Sequence, residues 1–240
     1  MILRRLHPEP GAEIDAGSDE GRAALDDFYA YPRERWLRLN FIASVNGQAA
    51  GSDGTSDSLT NWVDRRILGT IRRLGDLVLV GAGSLRTEGY FLPKTAPLAI
   101  VTTSGDLTGH RIPDDVAAGR IIVLCPSAAA PAVRSTLRAP AASIIELGAS
   151  PDRPGVDLAA AIDALHALGY HRIVCEGGPT LAGQLVNAGL VDELCLSTSP
   201  QLSALVMPVL PGLTSAHALQ LTLLLADADG QLYARWRLAG

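Results

Sequence analysis

The sequence predicts an α/β fold with a mostly parallel central sheet that ends in an antiparallel C-terminal hairpin. From about residue 36 onward, short apolar runs alternate with segments of helical periodicity, which is the rhythm of β-α-β units. The apolar runs are nearly continuous, as expected of strands covered on both faces. Residues 219–225 and 231–238 instead flank a turn at 227–230, and the second of them alternates strictly, which indicates a hairpin. Residues 1–31 show neither pattern and are expected to form an irregular head.

The first predicted strand begins at about Arg38, and its alternation places Asn40, Ile42 and Ser44 on one face. A polar stretch rich in glycine, serine and aspartate follows at residues 46–60 and is expected to form a loop that closes over a substrate. The first helix comes next, because apolar residues recur at helical spacing in a stripe that most of the neighbouring arginines avoid. That stripe consists of Val63, Ile67, Ile71 and Leu74.

Buried strands and helices then alternate to the end of the parallel region. Continuous apolar runs predict strands at residues 77–80, 98–101, 121–124, 143–145 and 173–175. Asp157 is placed to cap a helix that continues to Leu168 and closes at Gly169. A shorter helix opens at Pro179 and stops at Gly189.

Composition limits the classes of protein to which the chain can belong. It has 240 residues, 48% of them hydrophobic, and 20 basic against 25 acidic side chains give a net charge of −5. A disordered chain is excluded, and a nucleic-acid partner is not expected, since it requires a broad basic surface. No apolar run approaches the roughly 18 residues that a membrane helix needs, and no secretory leader opens the sequence. We therefore expect a cytoplasmic protein with no membrane partner.

The cysteines and histidines show no metal-binding pattern. Cys125, Cys175 and Cys195 are odd in number, widely spaced and set within or beside apolar runs. This arrangement predicts small buried side chains rather than disulfides or a zinc site. The five histidines show no ligand spacing, so no metal is predicted.

The most informative segment is Glu176-Gly177-Gly178-Pro179, where a buried strand passes into a helix. Two glycines let another backbone or a phosphate come close, and a proline at the helix start leaves the other free amides pointing outward. Those amides and the helix dipole attract phosphate. An ordinary tight turn also explains the glycines, but a carboxylate at the end of a buried strand needs a partner or a ligand.

A second segment, Gly81-Ala82-Gly83-Ser84, follows another buried strand. It resembles a dinucleotide-binding fingerprint only in part, because the third glycine is missing and no long helix plainly follows. Ser84, Arg86 and Thr87 offer hydroxyl groups and a guanidinium that suit phosphate or ribose oxygens. A solvated loop is an equal alternative.

Four segments, taken in this order, carry a resemblance to a known family. They are Ala43-Ser44-Val45-Asn46-Gly47, then Val80-Gly81-Ala82-Gly83-Ser84 with Arg86-Thr87-Glu88-Gly89-Tyr90, then Glu176-Gly177-Gly178-Pro179-Thr180-Leu181-Ala182-Gly183, and finally Gly189-Leu190-Val191-Asp192-Glu193-Leu194. Over residues 36–238 the chain resembles the riboflavin-pathway pyrimidine reductases. The resemblance implies a dihydrofolate-reductase-like fold, a three-layer α-β-α sandwich. It also implies a single reductase domain over residues 1–240, without the zinc deaminase that precedes many family members.

The resemblance further implies a reaction and the residues that serve it. Hydride from NADPH would convert the ribosylamino group of a pyrimidinone 5′-phosphate, 5-amino-6-(5-phosphoribosylamino)uracil, to the ribitylamino form. Glu176 and Asn46 would be catalytic, with Glu176 or an ordered water supplying the proton. Substrate contacts would come from Asn40, Ser44, Ser56, Arg72 and Glu176. Cofactor contacts would come from Ala43, Gly81, Ser84, Arg86, Glu88, Gly177, Gly178, Pro179, Thr180, Leu181 and Gly183.

The same resemblance also implies how the chain assembles. It suggests a homodimer whose interface is formed by the C-terminal strands with Tyr233 and Trp236, although Trp236 is at least as simply explained as core.

The sequence departs from the family at two positions. Asn46 stands where the family usually has aspartate, and Asn40 stands where the deaminase-linked members have lysine. Asparagine can hydrogen-bond but cannot carry charge. Two alternatives therefore stay open, a paralogue that reduces a pterin such as dihydrofolate and a non-catalytic NADP-binding protein. Arg72 and Arg86 facing a phosphate would favour the pyrimidine substrate, whereas Glu176 facing a pterin ring would favour the paralogue.

Overall fold

The structure is a computed structural model, and it describes residues 1–11, 13–88, 92–148 and 155–239. The strands are β1 (Ile2–His7), β2 (Glu13–Asp15), β3 (Trp36–Ser44), β4 (Leu77–Gly81), β5 (Leu98–Val101), β6 (Ile121–Pro126), β7 (Ser143–Leu147), β8 (Arg172–Gly177), β9 (Glu193–Ser199), β10 (Leu219–Asp227) and β11 (Leu232–Leu238). The helices are α1 (Asp19–Tyr29), α2 (Trp62–Leu74), α3 (Ala82–Glu88), α4 (Ala130–Leu137), α5 (Leu158–Ala167) and α6 (Pro179–Asn187).

All the strands belong to one sheet in the order β2-β1-β10-β11-β9-β3-β8-β4-β5-β6-β7. Every pairing from β9 to β7 is parallel. Every pairing from β2 to β9 is antiparallel, including the hairpin of β10 and β11. The predicted combination of a mostly parallel sheet with an antiparallel C-terminal hairpin is confirmed.

The two faces of the sheet pack on different helices. In the register of β8 and β4, Val174 lies beside Val78 and Cys175 beside Leu79. Helices α1 to α4 cover the face with Val78 and Val174, and helices α5 and α6 cover the face with Leu79 and Cys175. The buried helix residues include Leu25, Val63, Leu85 and Val133 on the first side and Leu165 and Leu185 on the second. The molecule therefore has the predicted three layers.

Local chemistry sets the helix ends near the parallel strands. The side-chain oxygen of Asn61 accepts from the Asp64 backbone N–H at 2.9 Å and caps α2. The Asp157 carboxylate caps α5 by accepting from the Ala160 N–H at 3.1 Å. Helix α6 starts at Pro179, as predicted from the glycine-proline turn.

The prediction of an irregular head at residues 1–31 is wrong. Strand β1 pairs with β10, and Ser18 caps α1 by accepting from the Gly21 N–H at 2.9 Å. Helix α1 is held by Arg38, whose Nη1 donates to the Tyr29 carbonyl at 2.9 Å. Since β10 lies near the other end of the sequence, the strand pairing that orders this head is invisible in the local pattern.

Tyr233 is a core residue of strand β11, and Trp236 packs against the core. Tyr233 is 1% exposed, and its hydroxyl donates to the Asp227 carboxylate at 2.8 Å. Trp236 is partly buried and packs against the main core. The structure therefore supports the core interpretation of Trp236, and the interface of the homodimer stays a prediction.

Two further properties of the fold bear on function. Cys125, Cys175 and Cys195 are free and buried, which confirms their interpretation as small core side chains. No helix in the described part of the chain is long and apolar enough to cross a membrane.

Candidate active site

The carboxyl ends of the parallel strands β3, β8 and β4 open into two adjoining cavities, where the sequence motifs meet. The larger cavity has a volume of about 340 Å³. Strand β3, helix α2, strand β8 and the loop between β3 and α2 supply most of its wall: Asn40, Phe41, Ile42, Asp64, Arg65, Leu68, Arg72, Glu176, Gly177, Ala49, Ser56, Asp57 and Thr60. This position outside the carboxyl ends of the strands is where open α/β sheets bind ligands.

The smaller cavity has a volume of about 200 Å³ and adjoins the larger one. The two share the wall residues Ala49, Ser56, Ser84, Pro179 and Met207. The rest of its lining is made of small and hydroxyl-bearing residues, including Gly81, Gly83, Thr87, Gly178, Thr180 and Leu181. No lining residue is charged among those that the structure describes, so any anion held there is bound by amides, hydroxyls and a helix end.

Helix α6 points its N-terminus into the smaller cavity. Its cap residue is Gly178, which offers no side chain to the free amides of the first turn. The Ser84 hydroxyl lies so close that a Cβ built on Gly178 would be 2.7 Å from Ser84 Oγ, and one on Gly177 would be 2.9 Å away. A side chain at either position would displace the Ser84 hydroxyl, and glycine at both positions leaves the amides open to an anionic ligand.

An ion pair between Arg72 and Glu176 forms part of the wall of the larger cavity. Arg72 Nε donates to Glu176 Oε1 at 2.7 Å, and Arg72 Nη2 donates to Glu176 Oε2 at 2.5 Å. The Glu176 side chain is only 5% exposed. The buried acid at the end of β8 thus has the partner that its burial requires, and the fork geometry fixes both side chains.

Asn46 and Ser44 form a network beside the cavities and line neither of them. Ser44 Oγ donates to Asn46 Oδ1 at 2.7 Å. Asn46 Nδ2 donates to the Ser203 carbonyl at 2.9 Å, and Asn46 Oδ1 accepts from the Ser203 N–H at 3.0 Å. Asn46 therefore fastens the turn after β3 to the loop after β9.

Three other predicted residues lie apart from both cavity linings, and a fourth has a side chain that the structure does not describe. Ala43 is buried within β3. Arg86 Nη1 donates to the Asp106 carbonyl at 2.7 Å. A Cβ on Gly183 would lie 2.3 Å from the Pro211 carbonyl oxygen, so packing explains this glycine. Glu88 ends α3, and its side chain lies outside the described residues.

The structure brings the remaining predicted residues together. Asn40, Arg72, Glu176 and Gly177 line the larger cavity, and Gly81, Gly178, Thr180 and Leu181 line the smaller one. Ser56, Ser84 and Pro179 line both. The alternative of a solvated loop after β4 is wrong, because helix α3 begins there at Ala82.

Sequence reasoning missed one acid in the larger cavity, Asp64. It is half-buried in the first turn of α2, and Thr60 Oγ1 donates to its Oδ2 at 2.7 Å. Burial raises the pKa of the Asp64 carboxyl, an effect that hydrogen bonds from Ser197 and Thr60 partly offset. The sequence did contain a signal for Asp64, because Asp64 and Arg72 are spaced two helical turns apart and therefore lie on one face of α2.

Comparisons with known proteins agree with this architecture. Residues 35–224 match the family model of the RibD C-terminal domain. The chain is 27% identical over 177 residues to a 2,5-diamino-6-ribosylamino-4(3H)-pyrimidinone 5′-phosphate reductase of Methanothermobacter thermautotrophicus, covering 70% of this chain and 78% of that protein. It is also 27% identical over 196 residues to the riboflavin biosynthesis protein RibD of Corynebacterium ammoniagenes, covering 78% of this chain and 51% of that protein.

Solved structures with the same fold include a reductase-like protein and a reductase. A pyrimidine reductase-like protein from Corynebacterium diphtheriae superposes with a TM-score of 0.72 at 22% identity, covering 90% of this chain and 99% of that one. The riboflavin biosynthesis reductase of Saccharomyces cerevisiae superposes with a TM-score of 0.68 at 14% identity, covering 92% of this chain and 100% of that one. At these identities the likeness establishes the fold.

Proposed function

Because the chain belongs to the RibD C-terminal domain family, we propose that it is a pyrimidine reductase of riboflavin biosynthesis that uses NADPH. Two relatives carry the name of a 2,5-diamino-6-ribosylamino-4(3H)-pyrimidinone 5′-phosphate reductase. The observation that supports the assignment best is the pair of adjoining cavities. One cavity is uncharged and ends at a helix N-terminus, the other is charged, and they join at Ser84 and Pro179. A hydride transfer needs two such compartments with one shared boundary.

The smaller cavity fits the dinucleotide. The open amides of α6 and the Ser84 hydroxyl are placed to donate hydrogen bonds to a pyrophosphate, and glycines at 81 and 178 keep the backbone accessible. Thr87 lines the same cavity, and its hydroxyl donates to the Gly83 carbonyl at 3.0 Å. The remaining cofactor residues in this proposal are Gly177, Pro179, Thr180 and Leu181. The bound cofactor supplies the hydride.

The larger cavity would hold the ribosylamino-pyrimidine phosphate. Its sugar opens to an imine, and C1′ must lie at the shared wall to accept hydride, a matter chiefly of position. Arg72 holds the Glu176 carboxylate rigidly, so Glu176 can accept hydrogen bonds from ribosyl hydroxyls and orient a water. That water gives the nitrogen its proton, which balances the two-electron reduction of the carbon-nitrogen double bond. Asn40 and Ser56 line the same cavity and complete the proposed substrate contacts.

The assembly and extent of the protein are part of the same proposal. One sheet joins the N-terminal strands to the C-terminal hairpin, which supports a single domain over residues 1–240. We place the protein in the cytoplasm as a homodimer. Exposed apolar residues support the dimer. Leu219 and Leu232 lie in the C-terminal strands, and five others lie in the loop after β9: Leu202, Leu205, Val206, Met207 and Leu213.

The proposal is tested by following NADPH oxidation by the purified protein with the ribosylaminopyrimidine 5′-phosphate, and with dihydrofolate in parallel. We expect oxidation with the pyrimidine and a fall of about a hundredfold in kcat/KM for Glu176→Gln, which breaks the charge pair. Glu146→Gln is the matched control, because Glu146 lies on the edge strand β7 and its ion pair with Arg134 is exposed to solvent. Oxidation with dihydrofolate alone, or with neither compound, would refute the assignment.

A further inference from the structure

The loop after β9, residues 200–218, faces the active site on one side and the exterior on the other. Met207 of this loop lines both cavities, at the wall that they share. Val206, the residue before it, is 89% exposed, and Leu202 is the next most exposed of the large apolar side chains that the structure describes. Adjacent residues of one loop thus belong to the active-site wall and to an exposed apolar surface.

Contacts between two loops set the position of Met207. The Gln48 side-chain oxygen accepts from the Met207 backbone N–H at 2.6 Å, and the Ala49 N–H donates to the Met207 carbonyl at 2.7 Å. The Val209 N–H donates to the Gly47 carbonyl at 3.1 Å. Ala49 also lines both cavities, so the two loops form this part of the shared wall together. A molecule that binds the outer side of the loop after β9 therefore constrains the wall of the site as well.

The outer side of this loop carries no charge that would attract a charged partner. Residues 194–226 contain no aspartate, glutamate, lysine or arginine. In a two-fold interface the same surface of each copy meets the other, so any net charge on that surface would repel itself. Here a second copy can cover the exposed leucine and valine side chains without such repulsion. The absence of charge therefore favours a second copy of the chain over an acidic or basic partner.

We propose that a second copy of the chain, docked on the outer side of the loop after β9, holds Met207 at the shared wall, so that the dimer is the form with a complete active site. This inference rests on the proposed function, in which the substrate carbon and the cofactor meet at that wall. Met207 is then a positioning residue, since it packs beside the reactants and its place is set from outside the cavity. A small displacement of reacting groups lowers the rate steeply, by up to about a hundredfold for 1 Å.

The test uses opposite charges at one position of the interface. Val206→Asp and Val206→Lys should each be monomeric, because a charge is costly to bury in an apolar surface and both copies carry the same sign. An equimolar mixture of the two variants brings opposite charges together and should restore the dimer. We expect kcat/KM for the ribosylaminopyrimidine 5′-phosphate to fall about 10- to 100-fold in each variant and to recover in the mixture. Leu168→Asp, a charge on an exposed leucine outside this loop, should change neither the mass nor kcat/KM.

Recovery in the mixture separates this inference from local damage, because mixing cannot repair a loop that each variant has distorted. Monomeric variants with the kcat/KM of the wild type would overturn the inference. A monomeric wild type, variants that still form dimers, or a mixture that stays slow would also overturn it. All of these outcomes leave the reductase assignment intact, since the wild type would still oxidise NADPH with the pyrimidine.

A binding measurement decides the inference even if the proposed function fails. Met207 also lines the smaller cavity, so the Kd for NADPH, followed by its fluorescence, should rise in each variant and return in the mixture. A wild type that reduces neither compound would refute the proposed function, and this order of Kd values would still support the inference. An unchanged Kd in that case would refute both. If a position 206 variant does not fold, as judged by circular dichroism, Leu202→Asp and Leu202→Lys provide the same pair on the same surface.

Discussion

At the scale of single residues, the site depends on pairs whose members control each other. Arg72 donates two hydrogen bonds to Glu176. If either side chain is removed, the charge of the other is left without this partner in the partly enclosed cavity wall. A buried charge that loses its partner costs more than the pair itself contributes. The two residues should therefore behave as one unit in kinetics.

We predict that Arg72→Met lowers kcat/KM by about a hundredfold and that adding Glu176→Gln costs little more, because the coupling energy of contacting residues is about 1–3 kcal/mol. Arg72→Lys should restore only part of the activity, since lysine cannot form the fork. The measurement is kcat/KM for the wild type, both single variants and the double variant. Losses that add in the double variant would show that the two side chains act separately.

The sequence indicated which segments form the site better than which side chains enter it. The glycines of the β8-α6 turn and Ser84 were predicted because turn chemistry is local. Gly183 was assigned to the cofactor but is a glycine because the Pro211 carbonyl packs against it, a contact between distant segments. Asp64 was missed because its role depends on which helix face meets the cavity.

At the scale of elements, continuous apolar runs predicted the parallel strands, and polar strands escaped detection. Strand β9 carries Glu193, Ser197 and Ser199, all buried. Glu193 can be buried there because Arg38 Nε donates to it at 2.5 Å and Arg235 Nε at 2.7 Å. The arginines come from β3 and β11, so no pattern within β9 reveals their compensation.

Glu193 joins three strands, and its charge makes the junction sensitive to acid. Burial raises the pKa of the Glu193 carboxyl, but Arg38 and Arg235 outweigh burial and hold it below its ordinary value. The ionised form therefore stabilises the fold fully above the ordinary pKa of about 4.3. This stability is lost as the pH falls through the lower pKa of the folded state.

We predict that Glu193→Gln lowers the free energy of unfolding by about 3–5 kcal/mol at pH 7, because two buried guanidinium groups lose their partner. The difference from the wild type should shrink as the pH falls below the ordinary carboxyl pKa of about 4.3 and through the lower pKa of the folded state. Urea unfolding between pH 3 and 7 measures both effects, with Glu146→Gln as an exposed control. A difference that does not change with pH would contradict the electrostatic explanation.

At the scale of the whole molecule, the two most exposed large apolar side chains of the described residues lie in the loop after β9. Leu202 is 79% exposed and Val206 is 89% exposed. The loop is not loose, because Asn187 Nδ2 donates to the Gly212 carbonyl at 2.8 Å. A fixed apolar surface of this kind supports the proposed interface with a second copy of the chain.

We expect light scattering after size exclusion to give twice the mass of one chain, and Val206→Asp to reduce it to the mass of one chain. A charge at the centre of an apolar interface is costly to bury. Leu168→Asp is the matched control, since Leu168 is a 55% exposed leucine just after α5. A monomeric wild type, or a variant that still forms dimers, would remove the loop from consideration as the interface.

The ordered head has a consequence for solubility. Without β1 and β2, the sheet would end at β10, a leucine-rich strand whose Leu223 and Leu225 are buried. An open strand of this length and composition is a template for edge-to-edge aggregation. The head replaces it with β2, which has only three residues, and Glu13 of β2 pairs with Arg4 at 2.7 Å. Residues that take no part in the proposed chemistry thus keep the enzyme from polymerising through its own sheet.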